Sequence, residues 1–190
     1  MSFSYNFYIT CMKMYGVKKT FNNRKKFEKS LYSTKKKFVL SDDTKKKYFT
    51  DVRIINGQEC YRISRSKERE EKALVYFFGG GYVMPAGKRD EKLLTYLADT
   101  LKADIFLLLY PLLPNVDSKE IYGFARDFYA ELLKDYEPEN IQFFGMSSGA
   151  SLCMNMFLYD RYHGGELPYP GHMLLFRRPA RSRRAMRRRS

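Results

Sequence analysis

The sequence predicts an α/β fold built on a mostly parallel sheet, and three observations support this prediction. Short apolar runs that suit buried strands alternate with longer segments whose apolar residues recur at helical spacing. Such alternation is typical of right-handed βαβ crossovers. Two of the apolar runs end in glycine-containing turns. The pair Asn56-Gly57, between two alternating runs, predicts an antiparallel hairpin before the parallel strands.

The predicted elements follow one another at the spacing of one domain, which a chain of 190 residues can form. Strands are predicted over Lys47–Ile55, Glu59–Ser64, Leu74–Phe78, Asp104–Tyr110, Ile141–Phe144 and Met173–Phe176. Helices are predicted over Glu91–Leu101, from Ser118 to Leu133, and over Ala150–Leu158.

The stretch from Ile141 to Leu158 carries the first chemical signal. An apolar run is followed by a Gly-x-Ser-x-Gly motif centred on Ser147, and an apolar helical run comes next. Strand, tight turn and helix are the context in which this motif forms a nucleophile elbow. Because Gly145 and Gly149 lack Cβ atoms, the backbone can fold sharply and the strand and helix can approach closely. We expect the Ser147 hydroxyl at the carboxyl edge of the sheet, facing the first amides of the helix; the alternative is an ordinary strand-to-helix turn.

A glycine loop after an earlier strand carries the second signal. The run Ala73–Phe78 ends in Gly79-Gly80-Gly81-Tyr82. Three glycines after a strand allow the backbone to turn its N–H groups toward a ligand, as an oxyanion hole requires. In a parallel sheet this loop and the Ser147 turn would lie at the same edge. The alternative is a flexible loop without a binding role.

Four stretches together resemble the hormone-sensitive-lipase-like esterase group of the α/β-hydrolase fold. Phe78–Tyr82 resembles its His-Gly-Gly-Gly loop, and Gly145–Ala150 resembles its Gly-Asp-Ser-Ala-Gly-Gly elbow. Tyr110–Pro114 resembles its Tyr-Arg-Leu-Ala-Pro segment, and Leu167–His172 resembles the lead into its sixth strand. The resemblance covers about residues 45–176.

The resemblance implies hydrolysis of a carboxylic ester with a small or medium acyl group. It implies Ser147 as the nucleophile and the backbone N–H groups of Gly80, Gly81 and Ser148 as the oxyanion donors. A small ester is then the expected partner, and no metal or organic cofactor is implied. A catalytically inactive protein that holds a small apolar ligand on the same scaffold is the second hypothesis.

The resemblance is incomplete in residues and in length. Phe78 stands where the group has the loop histidine, and Met146 stands where it has an acidic residue before the nucleophile. A complete member of the group is expected to be considerably longer than 190 residues. We therefore expect a hydrolase core that is truncated or frame-shifted after about residue 176.

A general base and an acid are also needed, because a serine hydroxyl is a poor nucleophile at its free pKa. After Ser147 the only acidic residues are Asp160 and Glu166, and the only histidines are His163 and His172. His163 would lie about 20 Å along the helix from the nucleophile, and His172 would lie at the opposite edge of the sheet. In the family the acid and the histidine follow the seventh and eighth strands, so we expect impaired catalysis in this chain.

Charge divides the sequence into three predicted parts. These are a basic, helical, cap-like segment at residues 1–44, a partial hydrolase core at 45–176, and an Arg-rich, disordered tail at 177–190. Residues 1–50 carry a net charge of +10, residues 51–176 carry −4, and the tail carries +8. A mildly acidic core with two basic ends differs from a uniformly basic nucleic-acid-binding protein.

The basic ends leave several interpretations open. The first segment suits a mobile cap, a solvated basic helix or a helix on an anionic membrane surface. The tail contains eight Arg and no Lys, whereas residues 1–176 contain 19 Lys and 8 Arg. Such a switch suggests a change of reading frame or a foreign terminus; the alternative is a true Arg-rich contact for nucleic acid or anionic membrane. We expect no specific nucleic-acid partner and at most weak contact with anionic surfaces.

The three cysteines, Cys11, Cys60 and Cys153, are scattered and show no metal-binding or disulfide spacing. This favours a reducing, cytoplasmic location, and no apolar run reaches transmembrane length. Cys153 is expected to be buried. The strand at Met173–Phe176 is expected to be an open sheet edge, through which the chain would self-associate.

Overall fold

In the part of the chain that the structure describes, six strands form one sheet in the order β1-β2-β4-β3-β5-β6. The structure is a computed structural model, and it describes residues 38–176. Most of the predicted cap-like segment, residues 1–37, and the Arg-rich tail, residues 177–190, lie outside the described residues. The strands are β1 (Phe49–Ile55), β2 (Gln58–Ser64), β3 (Ala73–Phe77), β4 (Asp104–Leu108), β5 (Ile141–Met146) and β6 (His172–Phe176).

A short helix, α1 (Asp42–Lys47), precedes β1. Three longer helices connect the parallel strands: α2 (Lys88–Thr100), α3 (Ser118–Leu132) and α4 (Ser148–Tyr162), with a 3₁₀ turn at Pro138–Asn140 before β5. The start of α3 is fixed by a reciprocal pair of hydrogen bonds. The Asp117 carboxylate accepts from the Glu120 N–H, and the Glu120 carboxylate accepts from the Asp117 N–H.

The predicted hairpin is present, with β1 and β2 antiparallel on either side of Asn56-Gly57. Both turn residues have positive φ, 47° and 76°, as a tight two-residue hairpin turn requires. The first strand begins at Phe49, two residues later than predicted, because Lys47 ends helix α1. Ser41 caps this helix by accepting from the Thr44 N–H, so the polar run folds as a helical turn instead of extending the strand.

Strand β3 lies between β4 and β5 and is parallel to both, and β6 is parallel to β5. The carboxyl ends of these four strands therefore lie at one edge of the sheet. The crossovers through α2 and α3 run in opposite directions along the sheet, so right-handed connections place the two helices on opposite faces. The predicted α/β fold class with a mostly parallel sheet is confirmed.

Element boundaries differ from the predicted ones by a few residues. Helix α2 begins at Lys88 and not at Glu91. The apolar spacing did not predict its first turn, because that turn is polar. Asp90 in that turn accepts hydrogen bonds from the buried Tyr76 hydroxyl at 2.7 Å and from the Gly87 N–H at 2.8 Å. These contacts connect α2 to the sheet through polar groups that a search for apolar spacing does not detect.

Candidate active site

Ser147 lies between β5 and α4 with φ 54° and ψ −113°, a conformation that a residue with a side chain rarely adopts. It is exposed, although the residues on either side of it are buried. Its N–H donates to the Phe176 carbonyl at 2.8 Å, which ties the turn to the end of β6. A strained, exposed serine at a strand-to-helix turn suits a nucleophile elbow, and the role of Ser147 as nucleophile stays a prediction.

Both glycines of the motif are required by close contacts. A Cβ atom on Gly145 would lie 2.6 Å from the Cα atom of Ala150, and one on Gly149 would lie 2.0 Å from the carbonyl oxygen of Phe77. The first contact allows the chain to double back from strand to helix. The second allows α4 to touch the end of β3, which brings the Ser147 turn against the start of the glycine loop.

The glycine loop after β3 uses backbone conformations that favour glycine. Gly80 and Gly81 have φ values of 149° and 65°, and Tyr82 has 62°. The Gly80 carbonyl accepts from the N–H groups of Val83 and Met84 at 3.2 and 3.1 Å. These bonds close a compact turn, so residues 80–84 form a defined structure and not an extended loop.

Tyr110 anchors the beginning of this loop. Its hydroxyl donates to the Phe78 carbonyl at 2.6 Å, and its ring stacks on the Phe78 ring with centroids 4.2 Å apart. The Leu113 N–H donates to the Tyr82 carbonyl at 2.9 Å, so the same segment also holds the end of the loop. In the sequence, Tyr110 belongs to a segment that resembles one of the family but indicates no role of its own. Its position just after the neighbouring parallel strand is the signal that could have identified it.

Ser148, the first residue of α4, contacts the glycine loop directly. Its hydroxyl accepts from the Gly81 N–H at 2.9 Å. Its own N–H belongs to the first turn of the helix, where backbone donors have no intrahelical acceptor and favour negative charge. The structure thus brings together Ser147, Ser148 and the loop residues Gly80 and Gly81, with the Gly81 N–H already donated to a side chain.

Neither histidine approaches this edge of the sheet. His163 follows the last turn of α4, where it is exposed and its Nδ1 atom lies 2.8 Å from the Tyr159 carbonyl. His172 is the first residue of β6 and pairs in register with Gln142 near the start of β5, at the amino edge. The chain contains no other histidine, so the predicted separation from Ser147 agrees with the structure.

The contacts of Asp160 are those of a residue that stabilises the end of α4. It is buried in the last turn of α4, where its carboxylate lies 3.0 Å from both Arg126 and Arg161. It also accepts from the Leu167 N–H at 3.0 Å, which holds the chain as it leaves the helix. Twelve residues of helix separate it from the elbow by about 20 Å, and Glu166 is exposed in the loop beyond.

Cys153 lies beneath the elbow but is not an alternative nucleophile. It is fully buried, as predicted, and its Sγ atom would lie 3.0 Å from a Cβ on Gly145. Burial raises the pKa of its thiol well above the ordinary value, so the thiolate is not formed near neutral pH. Among residues 38–176 there is no group of three His, Cys, Asp or Glu side chains that could hold a metal ion.

A family model described as the alpha/beta hydrolase fold matches residues 74–186. The chain belongs to this family. The match includes β3 from its second residue, the glycine loop and the Ser147 turn. A search of the curated proteins finds no match.

Solved structures of esterases are similar to this α/β hydrolase. An esterase from the bacterial hormone-sensitive lipase (HSL) family is 25% identical, with a TM-score of 0.58 over 81% of this chain and 49% of that chain. The HSL homolog EstE7 from a metagenome library is 21% identical, with a TM-score of 0.62 over 81% and 51%. EstE5, in crystals soaked with p-nitrophenyl butyrate, is 23% identical, with a TM-score of 0.59 over 73% and 46%. The predicted resemblance to the hormone-sensitive-lipase-like esterases is confirmed.

This α/β hydrolase spans about half the length of the solved structures that it matches. Within residues 38–176, no helix combines the length and the apolar character needed to cross a membrane.

Proposed function

We propose that this chain carries the nucleophile and the oxyanion hole of a serine hydrolase that acts on carboxylic esters. The observation that carries the proposal is the conformation of Ser147, which is exposed at φ 54° on a turn closed by two obligatory glycines. The glycine loop packed against the first turn of α4 supports it, because Ser148 and Gly81 are joined by a hydrogen bond.

In the proposed reaction the Ser147 Oγ atom attacks the ester carbonyl carbon while its proton leaves to a base. The carbonyl oxygen becomes an oxyanion, whose donors we propose to lie among the N–H groups of Gly80, Gly81 and Ser148. The alcohol then leaves, and water hydrolyses the acyl-enzyme. Since His163 and His172 lie far from the elbow, no histidine of this chain is placed to accept the proton. We therefore expect slow turnover by the 190-residue chain alone.

A cavity beside the loop anchor favours the second hypothesis, that of a small-ligand-binding protein. The cavity has a volume of about 380 Å³, within the range of small-molecule sites. It is bordered by the stacked rings of Phe78 and Tyr110 and by apolar side chains that include Leu112 and Val116. The same cavity would suit the apolar part of a small ester.

The experiment that tests the proposal is covalent labelling of Ser147 by a fluorophosphonate, followed by intact-mass spectrometry. We expect slow, stoichiometric labelling that added imidazole accelerates, because an external base supplies the missing proton acceptor. Ser147→Ala should abolish labelling, and Ser151→Ala, one turn further along α4, is the matched control that should keep it. Hydrolysis of p-nitrophenyl butyrate should show the same dependence on imidazole and on Ser147.

Labelling that survives in Ser147→Ala would contradict the assignment of the nucleophile. Absence of labelling in the unaltered chain, with saturable binding of small apolar esters, would favour the ligand-binding hypothesis. Rapid turnover without imidazole would show that a base is present among the remaining side chains.

A further inference from the structure

The Ser148 side chain lies where the expected oxyanion donors meet, and it changes which of them is available. A preorganised oxyanion donor points at the position that the oxyanion will occupy. The Gly81 N–H does not do so, because it donates to the Ser148 Oγ atom at 2.9 Å. The Ser148 side chain therefore accepts the hydrogen bond of an N–H group that the family resemblance assigns to the oxyanion.

The hydroxyl group of Ser148 also has a proton that it can donate. Ser148 is only 9% exposed. Within residues 38–176 its hydroxyl accepts a hydrogen bond from Gly81 and donates none. Buried hydroxyl groups normally satisfy their donors, so this proton is available to an oxygen atom of a ligand that binds at the candidate active site.

The geometry points to the Ser148 hydroxyl as a side-chain donor of the oxyanion hole, taking the place of the Gly81 N–H. This inference rests on the proposed function. When Ser147 attacks a carbonyl, the Ser148 O–H donates to the developing oxyanion, beside the N–H groups of Gly80 and Ser148. The Gly81 N–H continues to donate to the Ser148 Oγ atom, which polarises the O–H bond and makes it a stronger donor. No bond to Ser148 is made or broken.

The preferred ligands are those that place a negatively charged or strongly polarised oxygen at the start of α4, such as a tetrahedral acyl or phosphonyl adduct on Ser147. A ligand whose corresponding atom is sulfur gains little, because sulfur is a weak hydrogen-bond acceptor. This difference separates donation by the hydroxyl from a purely structural role in holding the loop.

The test compares the rate at which Ser147 is labelled by two matched probes, a fluorophosphonate with a P=O group and its P=S analogue, in the presence of imidazole. Ser148→Ala is expected to slow the P=O reaction by about tenfold. This is a smaller effect than removing a donor that nothing replaces, because the Gly81 N–H is released and can donate to the oxyanion instead. The P=S reaction should change little. Ser148→Thr, which keeps the hydroxyl, should restore the P=O rate, and circular dichroism checks that both variants are folded.

Several outcomes would overturn the inference. A faster P=O reaction in Ser148→Ala would mean that the hydroxyl blocks the hole instead of donating to it. Equal slowing of both probes would mean that Ser148 only positions the loop, and an unchanged P=O rate would mean that it has no role. Labelling that does not occur at Ser147 in the unaltered chain would overturn the proposed function as well, so the two failures are distinguishable.

Discussion

Asp104 and Ser147 lie at opposite edges of the same sheet, and their surroundings differ in kind. Asp104, the first residue of β4, is fully buried, with Arg62 at 3.0 Å. It accepts hydrogen bonds from the Tyr136 hydroxyl and from the Glu70 N–H. Ser147 is exposed and strained, and its side chain makes no capping hydrogen bond to the helix that it begins.

Buried polar contacts stabilise the fold at the amino edge of the sheet, whereas the candidate active site lies at the carboxyl edge. At the amino edge, Asp104 is buried in an ion pair and hydrogen bonds with groups from distant parts of the chain, although among the described residues the Arg62 Nε atom and the Asp104 Oδ1 atom make no hydrogen bond. This arrangement favours one position of the strand ends. At the carboxyl edge, backbone strain and exposed or partly satisfied polar groups persist because obligatory close contacts hold them in place. We therefore expect that removing a charge destabilises the protein most at the amino edge, and that adding side-chain volume destabilises it at the carboxyl edge.

The largest effect is expected from Asp104→Asn at the amino edge. This change removes the negative charge and leaves the Arg62 guanidinium, which is 10% exposed, without its buried partner. The free energy of unfolding in urea should fall by about 4 kcal/mol, the range measured when one member of a buried ion pair is removed. The matched control is Asp99→Asn, which breaks an exposed pair with Lys47 and should give no measurable change.

Equal, small losses in the two variants would contradict the comparison. They would mean that the amino edge is held by apolar packing and that the buried charges contribute little.

A smaller effect is expected from Gly149→Ala at the carboxyl edge. The added Cβ would lie 2.0 Å from the Phe77 carbonyl oxygen, so α4 must move away from β3. We expect a loss of about 2 kcal/mol in the free energy of unfolding, typical of overpacking, together with loss of fluorophosphonate labelling at Ser147. Gly123→Ala in α3 is the control: its Cβ has room at 3.4 Å from Tyr159, so helix propensity should stabilise it slightly.

Retention of full labelling in Gly149→Ala would show that the elbow and the glycine loop function without their close contact. The strain at Ser147 would then have a local origin in the turn.

Local sequence patterns were sufficient to predict the elements around the candidate site. The apolar run before Gly145 and the helical run after Gly149 predict the strand, turn and helix, because both periodicities are local properties of the chain. The two glycines could be assigned to a close approach for the same reason. Boundaries were less accurate where polar contacts decide them, as at Lys47 and in the first turn of α2.

Contacts between distant residues could not be predicted in this way. Ser148 and Gly81 are 67 residues apart, and the Tyr110 hydroxyl reaches a carbonyl 32 residues away. Nothing in the spacing of Asp104 indicates that it meets Arg62 in the interior. Each of these pairs depends on strand order and register, which bring together positions that no local pattern relates.

The smallest effect is expected from Glu91, a polar group near the carboxyl edge that is well paired. Burial opposes its ionisation, but hydrogen bonds from Ser41 and Thr44 outweigh it and lower the pKa of the carboxyl below the ordinary value. A carboxyl with a lowered folded-state pKa stabilises the protein above its unfolded pKa, about 4.3, and this contribution is lost as the pH falls through the folded-state value. Glu91→Gln should therefore reduce the free energy of unfolding near pH 7, with a difference from the unaltered chain that shrinks as the solution is acidified. Thr44→Val removes the hydroxyl that donates to Glu91 at 2.6 Å. The folded-state pKa of Glu91 should then lie closer to the unfolded value, so the acid-induced loss should be smaller and complete at a higher pH. A constant difference between Glu91→Gln and the unaltered chain from pH 7 to pH 3, in urea titrations at each pH, would mean that the carboxylate charge is not stabilised by these bonds.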